Sequence, residues 1–141
     1  MKRIILALIC ALPISIIAQS KPDDILGTWM VQKKDAKVKI YKKGDAYFGK
    51  IIWLSEPIDK NTGKAVLDFE NPDSKLKSRP LIDLDIITNM KFDEDEWDDG
   101  TVYDPDNGKS YDCKLFIENG NLMVRGYLGW FYETETWTRV N

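Results

Sequence analysis

The densest potential chemistry in this sequence is acidic. The stretch YDPDNGKSY (residues 103–111) places Asp104, Asp106, Asn107 and Gly108 within five positions, which invites comparison with a calcium-binding loop. Such a loop takes oxygen ligands at positions 1, 3 and 5, glycine at 6 and a bidentate glutamate at 12. Counted from Asp104, position 5 is Gly108 and position 12 is Leu115, so the ligand pattern fails twice. The same residues suit a turn throughout. Asp104 can accept from the backbone ahead of it, Pro105 presets φ, and Gly108 supplies a positive φ before the return strand. DKNTGK (59–64) repeats the device of DPDNGK (104–109), so the shared grammar reads as two turns and no metal site is expected. DEDEWDDG (93–100) carries six carboxylates in eight residues. A divalent cation would relieve their repulsion; a solvated hairpin relieves it with water and is the simpler reading. With 23 acidic residues in the chain, a carboxylate pair of the glycosidase kind can be chosen in many ways and specifies nothing.

Histidine is absent from all 141 residues. That removes Ser-His-Asp and Cys-His nucleophile systems, the usual zinc sites and His-ligated haem. No cofactor is implied, and no enzyme activity is expected.

The N-terminus reads as a secretory signal peptide. Lys2 and Arg3 precede an apolar run from Ile4 to Ile17, and Ala18 offers a small residue before the cut. The run is short for a membrane span, so no transmembrane helix is expected in the mature chain. Cys10 lies inside it, behind Ile9, where lipid attachment would need a small residue. Cleavage after Ala18 (signal peptide 1–18) leaves one domain, residues 19–141. Its 123 residues carry 18 basic and 23 acidic side chains. A chain of this size buries roughly two-thirds of its unfolded surface, and its acidic balance argues against nucleic acid or an anionic membrane as partner. Cys113 is the one cysteine left, so no intrachain disulfide forms although an exported compartment permits one.

The mature chain alternates with a period of two. Strands are expected over 25–33, 36–43, 46–54, 81–92, 100–104, 109–117, 121–129 and 133–140, punctuated by Gly and Asn-Gly turns. An interruption at 55–80 carries Glu56-Pro57, Asn71-Pro72 and Arg79-Pro80, with room for a helical turn or two in PDSKLKS. Eight strands joined mostly by hairpins imply an all-β, antiparallel, up-and-down eight-stranded barrel with a lid-like insertion after the third strand; a two-sheet sandwich is the architectural alternative.

GTW (27–29) opens the first strand and TWTRV (136–140) closes the last. This pairing resembles the lipocalins, in which a Trp of a G-x-W motif plugs the closed barrel end and an Arg from the last strand covers it. The resemblance assigns structural closure to Trp29 and Arg139. A closer similarity is to the exported bacterial lipocalin-like proteins known as domain of unknown function 2147. It rests on GTW, YFGKIIWL (47–54), NPDSKLKSRPL (71–81), YDPDNGKSYDCKL (103–115), VRGYLG (124–129) and TWTRV. It implies a lipocalin-like barrel and an exported location, and no reaction; with the signal peptide cleaved after Ala18, the mature chain is expected in the periplasm.

In such a barrel the expected function is binding of a small hydrophobic or amphipathic, lipid-like ligand. Tyr47, Trp53, Tyr111 and Trp137 are expected to point inward, with Arg125 or Glu135 fixing a polar head group; for the aromatics, plain core packing is the other reading. Arg125 and Glu135 lie on successive strands and could instead form a cross-strand ion pair. Arg79 is the candidate contact from the lid; otherwise it caps carbonyls or pairs with Glu56 or Asp73 within a packed crossover. The alternative function is an envelope protein-interaction module with a side-chain-filled barrel, docking through Phe116, Trp130, Phe131 and Tyr132.

Overall fold

The computed structural model describes residues 18–141; the signal peptide expected over 1–18 lies, but for Ala18, outside the described residues. Eight antiparallel strands close into a barrel in sequence order. They are β1 (Gly27–Met30), β2 (Ala36–Lys43), β3 (Ala46–Leu54), β4 (Asp85–Asp93), β5 (Glu96–Asp104), β6 (Lys109–Glu118), β7 (Asn121–Leu128) and β8 (Phe131–Arg139). The up-and-down topology is the expected one, and the sandwich is excluded.

One barrel end is tight. Two-residue turns join β2 to β3, β4 to β5 and β6 to β7, and each holds a residue at positive φ: Gly44, Glu94, and both Asn119 and Gly120. Such turns match the right-handed twist of paired strands. The segment before β1 crosses this end and is pinned to the walls. The Trp97 indole donates to the Pro22 carbonyl (3.0 Å) and the Tyr47 hydroxyl to Asp23 Oδ1 (2.7 Å).

The closing seam between β8 and β1 is short. It pairs Trp29 with Arg139 and Met30 with Thr138, and the Val140 N–H adds a bond to the Thr28 carbonyl. Where β1 ends, the Gln32 side-chain carbonyl accepts from the Thr136 N–H at 2.8 Å and continues the ladder. Trp29 is fully buried, and its indole donates to the Ile25 carbonyl at 2.9 Å. The Arg139 guanidinium lies 4.1 Å from the centre of that ring and donates to the carbonyls of Leu26 and Asp24. Gly27 has φ of 123°, and a Cβ there would stand 2.9 Å from Arg139 Nη1. The glycine of G-x-W is therefore what lets the guanidinium reach the indole.

Above this plug the core is filled by Val38, Ile40, Tyr47, Ile87, Met90, Trp97, Leu115 and Leu122. Three strands depart from expectation by more than two residues at an end. β1 is confined to Gly27–Met30. β4 begins at Asp85, because Leu81 and Leu84 belong to the returning insertion, whose Asp83 and Leu84 backbones bond to Ile51. β5 begins at Glu96, inside the acidic stretch. That stretch is half strand: Trp97 points inward and is fully buried, and a register shift between Trp97 and Gly100 throws Asp98 and Asp99 outward. Lys114 takes up part of the charge, 2.7 Å from Glu96 and 3.7 Å from Asp98.

The closure carries a stability prediction. Trp29→Ala should lower stability by about 3–5 kcal/mol, and Arg139→Ala by about 1–2 kcal/mol. Urea unfolding of both variants checks this; unchanged midpoints would show that the plug does not hold the barrel shut. Cys113 gives a second readout. Its thiol is buried and pushed up to about 12, by desolvation first and then by Asp98, so its alkylation should quicken only as the barrel opens.

Candidate functional site

The other half of the barrel is hollow. A cavity of about 560 Å³ opens between the β1–β2, β5–β6 and β7–β8 connections and the start of the insertion. Its walls are Ile51, Val102, Tyr111, Val124 and Gly126, and the nearly buried Trp137 lines its inner end. The size suits one small organic molecule.

Glycine makes part of this room. At Gly126 a Cβ would meet Tyr111 and Val102 at 3.5 Å, an ordinary contact, so space remains for a larger side chain. Gly49 differs. A Cβ there would crowd Ile40, Ile87 and Val38 at 2.8–3.1 Å, which places it in the filled half.

Three expected site residues line the cavity: Tyr111, Glu135 and Trp137. The Tyr111 hydroxyl accepts from Asn107 Nδ2 at 3.0 Å, so the turn YDPDNG holds a wall residue in place. Glu135 Oε2 accepts from the Trp137 indole at 2.8 Å. The carboxylate therefore lies inside the barrel beside an aromatic ring.

The other four lie elsewhere. Tyr47 is in the closed half, edge-on to Trp97 with ring centres 6.4 Å apart. Trp53 is outside. The β2–β3 register runs Val38↔Ile51 and then Lys37↔Trp53, so Ile52 is an extra residue. That bulge turns Trp53 onto the outer face, where the Lys37 ammonium sits 5.0 Å from its ring centre. Arg125 is also outside, with its guanidinium over Phe116 and Tyr132 and its Nε donating to Thr134 Oγ1. It does not pair with Glu135, because the register sets Glu135 opposite Val124 and Thr134 opposite Arg125.

Arg79 belongs to the insertion, of which Ser55, Glu56, Val66 and Leu81 line the cavity and Arg79 does not. Residues 55–84 form two small bridged turns, Ile58 with Ala65 and Leu67 with Pro80, and strap the outer side of β4–β6. Their anchor is Asp68, fully buried, a residue the sequence reading did not single out. Asp68 Oδ1 accepts from the Tyr103 hydroxyl (2.5 Å), while Oδ2 accepts from Arg79 Nε (2.8 Å) and Asn71 Nδ2 (2.9 Å). Arg79 also stacks over Tyr103, 5.6 Å from the ring centre. Burial, and then the bond to Asp68, push the Tyr103 phenol above its ordinary value. Between strap and wall lies a narrower groove of about 300 Å³. Val66 and Leu81 alone of the strap's middle reach the cavity rim.

The opening turn is a turn. The Asp104 carbonyl accepts from the Gly108 N–H at 2.8 Å, and Asp104 Oδ1 accepts from the Asp106 N–H at 2.9 Å. The Asp59 carbonyl and carboxylate accept in the same way from Gly63 and from Asn61 and Thr62. Gly108 has φ of 71°, and a Cβ on it would run into the Glu70 carbonyl, so this glycine is also where the strap seats against the barrel. The stretches NPDSKLKSRPL and YDPDNGKSY meet at this contact.

The mouth is acidic and aromatic. Lys33 is the one basic side chain among the lining residues; it is held 2.9 Å from Asp106. The hydrogen bond to Asp106 first, then the charges of Asp106, Asp104 and Asp35, raise its pKa. Phe131 and Tyr132 stand on the rim, strongly exposed, beside Trp130 at the β7–β8 tip, which is 89 % exposed.

The model of a protein family described as an uncharacterized protein conserved in bacteria (DUF2147) matches residues 27–139. Among solved structures, the chain is similar to protein HP1028 from the human pathogen Helicobacter pylori, described as belonging to the lipocalin family. The TM-score is 0.70 at 19 % identity, over 86 % of this chain and 84 % of that one. No curated protein matches.

The strap anchor is testable. Asp68→Ala leaves Arg79, Asn71 and Tyr103 without their shared acceptor and should cost about 3 kcal/mol. It should also make residues 55–84 the first site of limited proteolysis. A variant as stable and as protease-resistant as the wild type would show that the strap is held by other contacts.

Proposed function

The chain belongs to the DUF2147 family, and from that premise we propose that it is an exported binding protein that holds a small hydrophobic or amphipathic molecule in the open half of its barrel. The observation that carries this reading is the cavity of about 560 Å³, apolar along its walls and open to solvent at one end. A core of this size ordinarily fills such space with side chains, since empty volume forfeits packing energy. The β-bulge that moves Trp53 outward and the glycine at 126 both subtract side-chain volume from the same half. The lipocalin-like fold is in keeping with small-ligand binding. Binding suits a cavity with apolar walls whose inward carboxylate, Glu135, is bonded to an indole.

Saturable quenching or shift of tryptophan fluorescence by an apolar dye, with one site per chain, is the expected result, because Trp137 borders the cavity. Gly126→Leu should abolish that binding while leaving the melting temperature within a few degrees of the wild type, since the added atoms enter open space. Undiminished binding by this variant would place the ligand elsewhere.

Export is part of the reading, motivated by the basic start and apolar run of residues 2–17. N-terminal sequencing of protein recovered from the periplasm should begin at Gln19. Recovery of Met1, or of a lipidated Cys10, would sink this part.

A second reading, an envelope protein-interaction module, is favoured by the bare aromatic tip at Trp130, Phe131 and Tyr132. Native mass spectrometry of protein from its own host envelope separates the two. Binding predicts a retained small molecule, and interaction predicts a retained protein chain.

A further inference from the structure

We propose that the cavity selects amphiphiles with a cationic head group, an amine or quaternary ammonium, lying at the mouth with the apolar tail inward. The inference rests on the ligand-cavity reading above and names the class of molecule that site takes. Six carboxylates line the cavity: Asp35, Glu56, Asp104, Asp106 and Glu133 toward the mouth, and Glu135 further in. They come from separate places in the chain, namely the β1–β2 connection, the start of the insertion, the β5–β6 turn and the head of β8. The barrel therefore gathers them; no local acidic run does.

The lining offers an anion almost nothing in return. Its lone basic side chain, Lys33, is already paired with Asp106. Arg79 is committed to Asp68, and Arg125 lies on the outer wall. Asp106 and Glu56 have partners in Lys33 and Lys60. Asp35, Asp104, Glu133 and Glu135 make no ion pair among the described residues. Glu135 is the most telling of these, since it points inward beside Trp137 and spends one oxygen on the indole. A fatty-acid carboxylate entering tail first would leave its charge among like charges. An ammonium would meet the carboxylates and, on the same rim, the exposed ring of Phe131, which attracts cations through its quadrupole. Both terms have the same sign.

The test compares three ten-carbon probes below their micelle concentrations: decyltrimethylammonium, decanoate and decanol. Tryptophan fluorescence and calorimetry read the affinities at low ionic strength. Decyltrimethylammonium should bind at least about tenfold tighter than decanoate, with decanol between them, and the gap should shrink as salt rises. Asp35→Asn combined with Glu133→Gln and Glu135→Gln should reduce the ratio of cation to anion affinity by about tenfold. If that variant fails to fold, the salt dependence of the wild-type ratio decides in its place. Three probes binding alike, or decanoate binding best, would overturn the charge selection and leave the ligand cavity standing. Binding by none of them would remove both.

Discussion

A guanidinium over an indole holds the rest of this structure in place. Every other strand pair in the barrel is joined by a longer ladder; the β8–β1 seam has two register pairs and a few flanking bonds. A seam that short leaves much of closure to side chains. Trp29 fills the narrowing end and is tied to Ile25, while Arg139 covers the ring and takes the carbonyls of Leu26 and Asp24. The two Arg139 bonds reach across more than a hundred residues of sequence, so they join the two ends of the domain. A sheet opened at this seam would expose two edges and spill the core they enclose.

Because closure is concentrated at one end, the other end need not be filled. Tyr47, Met90, Trp97, Leu115 and Leu122 pack the closed half to full burial. Toward the mouth the inward positions thin out to Ile51, Val102, Val124 and Gly126, and the polar Glu135 can be tolerated among them. The strap of residues 55–84 adds support from outside, through a buried carboxylate that satisfies three donors at once. Breaking such a buried group away from its partners is costly, which gives the open end a rigid flank without spending cavity volume.

Much of the fold was legible in the sequence because strand alternation and turn residues are local signals. The eight strands, their order, the Asp-initiated turns and the Trp29–Arg139 closure could all be read from the residues or from the resemblance they carry. The site was only half legible. Tyr111, Glu135 and Trp137 follow simple alternation and were placed correctly. Trp53 was not, because one inserted residue, Ile52, reverses the face of everything after it on β3, and nothing in IIWL marks a bulge. The alternative of an Arg125–Glu135 ion pair does not form, because the two lie one register step apart across β7–β8. Trp97 was hidden among carboxylates that read as a solvated loop, and Asp68, a single acid in an irregular segment, acquires meaning only from Tyr103 and Arg79, which are far from it in sequence. Such long-range polar satisfaction has no periodicity to detect.

The two ends of the barrel also differ in how their strands are connected. At the closed end each of the three turns has two residues and a demanding backbone conformation, so insertion there would distort the plug. At the open end the connections run from two residues at 129–130 to thirty at 55–84. Loop-closure entropy grows only logarithmically, roughly 0.6 kcal/mol for each doubling of a flexible loop. The rim can therefore be lengthened or rewritten at small thermodynamic cost while the plug stays untouched. In a barrel built this way, the part that recognises can diverge quickly without eroding the part that folds.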